Sequence, residues 1–561
     1  MTADQRASTP VEELAERFWE GILELNPTTA TFYGDDRYAD KLEDPGPDGR
    51  ARARALMERT AAEAEAIPED GLSTEDRITR DMLLVIARLE IEQDDQSMHQ
   101  LQVVDQMNGP QQTLPQLTQF QPADSPERVE AFMARLHAYP AYMAAYTQIL
   151  REGMETGLTA PRIVAERTIA QIERMLAVPI ESAIVPSMVN VANEADRERV
   201  REAVRDQVYP ADAAFLEGLK GEYLIATRDD PGIWSAPDGE QLYRTLIRRW
   251  TTLELDPGVV HQVGLDQLDR IESERREIAR AAGFGDDTAA FRAAQAADPA
   301  NIPTTKEALV VRATEDIERA MTAAPRFFGT LPRAACDVRP VEPYKEKDAA
   351  PAYYYPPAPD GSRPGIYYAN GYDLPTRKYS SLATTTYHEA APGHHFQISL
   401  EMENPNLGRF RRMGARMVGG AYVEGWGLYS ERLADEMGLF RNDGERFGML
   451  DAQAWRAARL VVDTGLHALR WPRQRSIDFL EGVGLTRTDA TIETDRYISW
   501  PGQALTYMTG QLEIQRLRAE LEARDGSAFD LRAFHDALLG HGSLPLATLT
   551  RELPNWLATP V

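Results

Sequence analysis

The sequence predicts a mainly α-helical fold, a large multi-helix body with a small β-sheet or hairpin beside a metal-binding helix. Apolar residues recur at helical spacing along most of the chain, and clusters of proline and glycine separate the segments. Aromatic and β-branched runs typical of strands occur in only a few places. Three of the nine histidines fall within the eight residues 388–395, which marks a site inside this helical frame.

The length of the chain bounds its domain organisation. A chain of 561 residues exceeds one small core and allows two or three domains or one large helical body. We expect a helical N-terminal region, residues 1–300, to form the walls of a cleft. Residues 301–561 are expected to form the catalytic, metal-binding region, and the alternative is one continuous body.

The first half of the chain is predicted as a series of helices. Segments 11–25 and 50–67 and the segment that begins at Thr74 carry apolar residues at helical spacing. The glutamine-rich stretch 100–121 lacks this pattern and is predicted as loop or short strand. From residue 125 to residue 220 the helical pattern returns, interrupted by prolines.

Local sequence signals also predict a helix that begins at Pro257, a hairpin and the C-terminal helices. Asp256 is expected to cap a helix whose first position is Pro257. Residues 352–356 and 365–370 are aromatic and β-branched and flank a turn at 359–362, which predicts a hairpin directly before the histidines. Beyond the histidines, from about Trp455 to Trp556, the chain returns to a helical pattern.

The histidine cluster begins with His388 and Glu389. A zinc hydrolase needs two or three neutral imidazoles, one open coordination position for water, and a carboxylate close by to take a proton from that water. His388 is therefore a candidate metal ligand, and Glu389 is a candidate general base.

The spacing of the other two histidines is unusual. His394 and His395 stand six and seven positions after His388, whereas the H-E-x-x-H motif places its second histidine four positions on. Pro392 and Gly393 lie between them and predict a two-residue bulge or a kink, which would bring His394 to the second-ligand position. His394 is the favoured second ligand, and His395 is the alternative.

Glu424 is the candidate third ligand. Its neighbours in the sequence are mainly apolar, and a carboxylate among apolar residues is costly unless a cation or a donor meets it. Glu431, seven positions later on the same helical face, is the alternative. Histidine with carboxylate favours one zinc ion over calcium or magnesium.

Three motifs carry a resemblance to a known family: H-E-A-A-P-G-H-H-F-Q from His388, Y-V-E-G-W-G-L-Y-S-E from Tyr422, and R-Y-I-S-W-P-G-Q-A-L-T-Y-M from Arg496. In these the chain resembles, along most of its length, the bacterial family catalogued as domain of unknown function 885. The resemblance implies a mostly helical fold similar to the gluzincin type of zinc metallopeptidase, with a variant H-E-x-x-P-G-H motif. It implies hardly anything about the substrate.

The same resemblance implies that a sheet edge beside the metal helix binds extended substrate through main-chain hydrogen bonds. Tyr367, Tyr368 and Asn370 lie in the second predicted strand and are the candidate substrate contacts. The alternative is a packed hairpin that does not touch substrate.

The last third of the chain offers further candidates. Amide hydrolysis requires a donor aimed at the developing oxyanion opposite the metal. Tyr507 and His467 are the catalytic candidates for this role, and Tyr497 is a candidate donor or substrate contact. Arg496 is a candidate partner for a substrate carboxylate through its guanidinium fork. Each of these residues could instead pack or form ion pairs.

Charge and composition narrow the partners and the compartment. The chain carries 88 acidic and 61 basic side chains, a net charge of -27, so we expect no nucleic-acid partner and no membrane partner. No stretch approaches the ~18 apolar residues of a membrane span, and the first residues lack the apolar core of a signal peptide. We therefore expect a cytoplasmic protein.

These observations predict a zinc-dependent hydrolase, foremost a metallopeptidase acting on short peptides or peptide-like amides. The restriction to short substrates follows from the long helical segment before the motif, which is expected to wall the site. One alternative is another metal enzyme, a hydrolase of other amides or a lyase. Another is a helical binding protein with a vestigial metal site, although such a scaffold has no need of the acid Glu389.

Overall fold

The computed structural model describes residues 8–342, 346, 350–358, 361 and 363–557. The predicted mainly α-helical fold is confirmed. The first helix begins where the side chain of Thr9 accepts from the Glu12 amide and the Glu12 carboxylate accepts from the Thr9 amide. The N-terminal helices are α1 (Pro10–Leu25), α2 (Pro27–Phe32), α3 (Pro47–Ala66) and α4 (Thr74–Asp95).

The middle of the chain is also helical, with two departures from the prediction. The stretch 100–121, predicted as loop or short strand, contains short helices instead. Helix α7 continues past Pro140, because the proline removes only one backbone hydrogen bond from a helix of 31 residues. The helices of this part are α5 (His99–Gln102), α6 (Thr113–Leu117), α7 (Pro126–Thr156), α8 (Arg162–Leu176), α9 (Ile184–Met188), α10 (Glu194–Ala203), α11 (Tyr209–Gly218) and α12 (Leu224–Ala226).

The next four helices lead to the sheet. Asp256 caps its helix as predicted, since its side chain accepts from the amides of Gly258 and Val259, and Pro257 takes the first helical position. These helices are α13 (Gly239–Thr251), α14 (Pro257–Ala281), α15 (Thr288–Ala297) and α16 (Lys306–Ala323).

A small sheet stands beside the histidine helices. Its strands are β1 (Cys336–Pro340), β2 (Ala352–Tyr355) and β3 (Gly365–Ala369), in the order β1-β3-β2. β2 and β3 pair antiparallel as the predicted hairpin, and β1, which the sequence did not reveal, pairs parallel with β3. Of the predicted turn, residues 359, 360 and 362 lie outside the described residues.

The C-terminal part carries the site and returns to helix, as predicted. Helix α14 packs along α20, and α19 packs along α23. The helices are α17 (Tyr379–Glu389), α18 (His394–Glu403), α19 (Gly420–Glu436), α20 (Asp443–His467), α21 (Arg473–Val483), α22 (Arg487–Ser499), α23 (Thr506–Asp525), α24 (Leu531–Gly540) and α25 (Leu546–Trp556).

Hydrophobic clusters tie distant parts of the sequence together. The largest joins α1, α3 and α4 to α16–α19 and α23–α25. A second joins α7, α8 and α11 to α20–α22. Both clusters therefore draw residues from either side of residue 300. Among the described residues, no helix is long and apolar enough to cross a membrane.

Candidate metal centre

The break between α17 and α18 decides which histidine faces the site. Helix α17 ends at Glu389 and α18 begins at His394, so the helix is interrupted at the predicted Pro392-Gly393, but by a break of four residues and not by a two-residue bulge. A Cβ on Gly393 would lie 1.9 Å from the carbonyl oxygen of His388, so this close chain reversal requires glycine. The indole of Trp426 holds the loop by donating to the carbonyl of Pro392 at 3.0 Å.

Three candidate ligands converge across this break. The Nε2 atoms of His388 and His394 each lie 3.5 Å from Oε2 of Glu424, and the two imidazole rings are 4.7 Å apart between centroids. His388 is buried, while the side chains of His394 and Glu424 are 10% and 25% exposed. The structure thus brings together the three residues predicted as metal ligands, at a place that solvent reaches.

A glycine on α19 makes room for both imidazoles. A Cβ on Gly427 would lie 2.8 Å from Nε2 of His388 and 2.9 Å from Cε1 of His394. Gly427 lies one helical turn after Glu424 on α19. The helix that carries the Glu424 carboxylate therefore also packs its backbone, without a side chain at this position, against the two imidazole rings. Sequence reasoning missed this residue, although a glycine inside a helix is a signal of close approach.

The far side of His388 is fixed by a second carboxylate. Nδ1 of His388 lies 2.9 Å from Oε1 of Glu431, and Nε2 of Gln453 donates to the other carboxylate oxygen at 2.9 Å. Glu431, considered as an alternative ligand, therefore lies behind the imidazole. A carboxylate on Nδ1 fixes the tautomer in which Nε2 faces the site.

His395, the alternative second ligand, is engaged elsewhere. Its Nδ1 lies 2.9 Å from the hydroxyl of Tyr354 on β2, and its Nε2 lies 3.1 Å from the carbonyl oxygen of Ala334. Burial lowers the pKa of His395 to about 4, so the ring is neutral, donates to the carbonyl and accepts from the tyrosine. His395 thus fastens the sheet to α18.

Charge is unevenly distributed in the centre. Burial would lower the pKa of His388, but hydrogen bonds with Glu424 and Glu431 raise it to about 10. Burial would likewise raise the pKa of Glu424, yet hydrogen bonds with His388 and His394 hold it well below its usual range. The residues of the centre therefore favour an ionised carboxylate with positive charge beside it.

Glu389 lies next to this centre without a hydrogen-bond partner among the described residues. Its carboxyl group is partly exposed, and burial raises its pKa, opposed by the nearby His394 and His388. A carboxylate that is near the ligands, reached by solvent and not committed to another donor can accept a proton.

Tyr507 comes closest to the predicted role of donor. Its ring stacks on that of His388 with centroids 6.4 Å apart, at an angle of 27°. In the described part of the chain its hydroxyl has no hydrogen-bond partner. The start of α23 therefore places a phenol beside the candidate ligands.

His467 and Tyr497 do not fit the roles suggested for them. The Ile233 amide donates to Nδ1 of His467 at 3.1 Å, and Nε2 lies 2.9 Å from the carbonyl oxygen of Tyr497. The hydroxyl of Tyr497 accepts from Trp455 and from Arg459. Both side chains are buried and their polar atoms are occupied by the protein, so neither is placed to meet substrate.

The predicted substrate contacts on the second strand are also corrected. β3 is the central strand, paired with β1 on one side and β2 on the other, so its backbone offers no edge to a peptide. Tyr367 is fully buried, Tyr368 stacks on Tyr353, and the side-chain amide of Asn370 donates to the carbonyl of Glu346 at 2.7 Å. The packed hairpin is the reading that the structure supports.

Arg496 lies near Tyr507 and has several partners of its own. Its Nη2 donates to Oε1 of Gln503 at 2.8 Å, and its Nη1 is 3.7 Å from a carboxylate oxygen of Glu493. Its Nε is buried and without a partner, so part of its donor capacity stays open.

Comparisons with known proteins agree with the fold. The sequence model of a bacterial family described as being of unknown function, DUF885, matches residues 27–553. A crystal structure described as "the putative lipoprotein from Colwellia psychrerythraea" is 28% identical, with a TM-score of 0.90 over 98% of this chain and 98% of that chain. A "putative lipoprotein of unknown function from Shewanella oneidensis" is 18% identical, with a TM-score of 0.74 over 97% of this chain and 99% of that one. The search of curated proteins gave no match.

Proposed function

The chain belongs to this bacterial family, DUF885, and we propose that it is a zinc-dependent hydrolase, a metallopeptidase that acts on short peptides or peptide-like amides. One observation carries the proposal: Nε2 of His388 and Nε2 of His394 each lie 3.5 Å from the same carboxylate oxygen of Glu424, and the three atoms all lie within 4.8 Å of one another. Acceptors that converge in this way need a shared positive charge.

The donor set and its spacing fit zinc. Nitrogen and oxygen ligands at about 2.0–2.2 Å from a tetrahedral ion stand roughly 3.3–3.6 Å from one another. The separation of 3.5 Å from Glu424 to each of His388 and His394 falls in that range. Three protein ligands leave one tetrahedral position open, which is the pattern of a catalytic site.

A bound zinc ion would supply Lewis acidity and lower the pKa of a coordinated water towards neutrality. Glu389 would accept a proton from water and return it to the leaving amine. The Tyr507 hydroxyl would donate to the oxygen of the substrate carbonyl as negative charge develops there. Glu431 holds the His388 ring in the orientation that this arrangement needs.

The order of these elements supports the likeness to gluzincins. Two histidines and one glutamate are a ligand set that catalytic zinc peptidases use. Here His388 and His394 come from α17 and α18, and Glu424 comes from α19. The interrupted motif replaces a single helix by two, with both imidazoles still directed at the same carboxylate.

Limited exposure of the centre supports small substrates. The side chains of His388, His394 and Glu424 are 4%, 10% and 25% exposed, so a folded protein has little access to them. A short peptide in an extended conformation reaches such a site more easily.

Zinc content and turnover test the proposal together. Protein purified without chelator is expected to hold about one zinc ion and to cleave members of a library of short peptides. Glu389→Gln is expected to keep the zinc and to lose about 100-fold or more of the rate, because glutamine cannot accept the proton. Glu436→Gln, the same change at the exposed end of α19, serves as the control. Absence of zinc uptake in the unmutated protein would refute the proposal.

A further inference from the structure

Three arginines gather around Tyr507, next to the candidate metal centre. The guanidinium carbon of Arg459 lies 4.4 Å from the centre of the Tyr507 ring, and that of Arg456 lies 5.8 Å from it. Arg496 joins them from α22 through Glu493, which lies 3.1 Å from Arg459 and 3.7 Å from Arg496. We call Arg456, Arg459 and Arg496 the arginine cluster.

The donors of the arginine cluster are only partly used. Arg456 has no hydrogen bond or ion pair among the described residues and stacks at 4.5 Å over the Trp455 ring. Nη1 of Arg459 is buried without a partner, although its Nε donates to Tyr497 and its Nη2 to Glu493. The buried Nε atoms of Arg456 and Arg496 are also without partners. Arg459 is a buried residue and the other two arginines are half-buried, and a buried guanidinium nitrogen left without an acceptor is costly unless an anion meets it.

The local charge is positive in a strongly acidic protein. Glu493 pairs with Arg459 and Arg496, and Arg456 has no ion pair among the described residues, so three guanidinium groups are matched by one paired acid. The chain as a whole carries a net charge of -27. A surplus of arginine at one point of such a chain indicates a site for an anionic group.

The position of the arginine cluster links it to the metal centre. Tyr507 contacts Arg459 at 4.4 Å and the His388 ring at 6.4 Å, so the cluster is one aromatic ring away from a candidate ligand. On the other side Arg496 lies 5.8 Å from the Trp500 ring, and Trp500 lines a cavity of about 490 Å³.

We propose that the arginine cluster binds a carboxylate of the substrate and so selects peptides that carry a free carboxylate close to the scissile amide. This inference rests on the proposed hydrolase function and names the substrate class of that site. Arginine suits the role because its planar fork binds a carboxylate through two parallel hydrogen bonds. The carboxylate can be the C-terminus of a short peptide or the side chain of an aspartate or glutamate.

Binding is measured by calorimetry on chains that also carry Glu389→Gln, so that turnover does not consume the probe. The probes are N-acetyl-trialanine, its C-terminal amide, and the amide of N-acetyl-Ala-Asp-Ala, each with and without added zinc. The free acid, the aspartyl amide or both are expected to bind about tenfold or more tightly than the trialanine amide, since hydrogen bonds to charged groups are the strong ones. Which of the two acids binds tells the C-terminus from an acidic side chain.

Substitution of Arg456 shows whether the arginine cluster is responsible. Arg456→Gln is expected to reduce the preference to about threefold or less, and Arg456→Lys to give an intermediate value because it keeps the charge and loses the fork. Arg475→Gln is the matched control, since Arg475 also stacks on a tryptophan, at 4.0 Å from Trp471. It is expected to leave the preference unchanged.

The outcomes separate this inference from the proposed function. Equal binding of acid and amide, no binding of any probe at millimolar concentration, or a preference that survives Arg456→Gln overturns the inference, even if the unmutated protein binds zinc and cleaves peptides. A preference that needs Arg456 but comes without zinc uptake or cleavage keeps the carboxylate site and refutes the hydrolase.

Discussion

Two buried clusters of histidine and acid occupy neighbouring parts of the C-terminal region, and they differ in how their polar atoms are satisfied. In the candidate metal centre, the Nε2 atoms of His388 and His394 converge on a single carboxylate oxygen of Glu424. In the second cluster, His467 and Asp463 each meet donors and acceptors supplied by the fold. The residue types are similar, so residue type alone does not distinguish the clusters.

The second cluster, named here the backbone-satisfied cluster, consists of His467, Asp463 and Tyr243. The Tyr243 hydroxyl donates to Asp463 at 2.6 Å, and the Gly502 amide donates to the same carboxyl at 3.0 Å. His467 bridges the amide of Ile233 and the carbonyl of Tyr497. Such a network holds the loop before α23 in place and leaves no atom for an ion.

A candidate cation site differs from a structural histidine cluster in how its polar atoms are paired. A histidine whose two nitrogens both have protein partners stabilises the fold. Two histidines that share one unprotonated carboxylate form a candidate cation site. The arginine cluster is the opposite case, because its donors converge without enough acceptors. Unmatched donors or acceptors, and not the presence of polar residues, indicate a ligand.

The largest expected difference between substitutions in the two clusters is in zinc content. His388→Ala and His394→Ala are each expected to reduce bound zinc from about one equivalent to nearly none, because each removes one of three ligands. His467→Gln is expected to keep the zinc, since that side chain belongs to the backbone-satisfied cluster. The metal is measured by elemental analysis of folded protein.

His395→Ala belongs to the same experiment as the neighbouring control. It is expected to keep zinc but to lose about 1–3 kcal/mol of unfolding free energy, because the hydrogen bonds of His395 with the carbonyl of Ala334 and with Tyr354 are lost. Equal zinc content in His394→Ala and the unmutated protein would contradict the ligand set and return His395 to consideration.

Residues of the candidate metal centre can be predicted from the sequence where a short stretch carries the signal. His388 and Glu389 stand in a motif, and Glu424 is an acid among apolar neighbours, so both signals are readable from short stretches. The break after Glu389 is equally local, because a proline directly followed by a glycine favours an interruption of the helix. The helical pattern, and with it the fold class, follows from the same kind of short-range periodicity.

What the sequence does not reveal depends on contacts between distant elements. Glu431 lies behind His388 only because α19 crosses α17, and Arg456 meets Tyr507 only because α20 packs beside α23. β3 is central because β1, a five-residue strand that ends in proline, joins its outer edge. These contacts arise from packing between elements that are distant in the sequence, so no periodicity in the sequence predicts them.

Gly427→Ala tests how closely α19 must approach the metal centre. The new methyl group would lie 2.8 Å from Nε2 of His388, so the ring must shift away from Glu424. Zinc affinity is expected to fall about 10- to 100-fold, as when the groups that orient metal ligands are disturbed. Competition with a chromophoric chelator measures the change.

Gly482→Ala is the matched control for that substitution. Gly482 also lies inside a helix, α21, and a Cβ there would meet no heavy atom within 4 Å. It is expected to leave zinc affinity unchanged and to stabilise the chain slightly, since alanine favours helix over glycine. Equal zinc affinity in both variants would show that the approach of α19 does not set the position of the imidazoles.

The smallest expected effect is on the pH dependence of stability, which reflects the charge states of Glu424 and Asp463. Hydrogen bonds with two histidines keep the pKa of Glu424 low, whereas burial raises the pKa of Asp463 to about 7. Between about pH 4 and pH 7 Asp463 keeps its proton in the folded chain and loses it in the unfolded chain, so its contribution to stability falls as the pH rises. That loss amounts to about 1 kcal/mol between pH 5 and pH 6.

Asp463→Asn removes this titration while keeping an oxygen for Tyr243 and Gly502 to donate to. Its unfolding free energy, measured in urea, is therefore expected to decline less steeply with pH than that of the unmutated protein over this window. Asp266→Asn, a change at an exposed position of α14, should run parallel to the unmutated protein. Parallel profiles for Asp463→Asn as well would mean that this buried acid is ionised in the folded state. The backbone-satisfied cluster would then hold an uncompensated negative charge, and its contrast with the metal centre would fail.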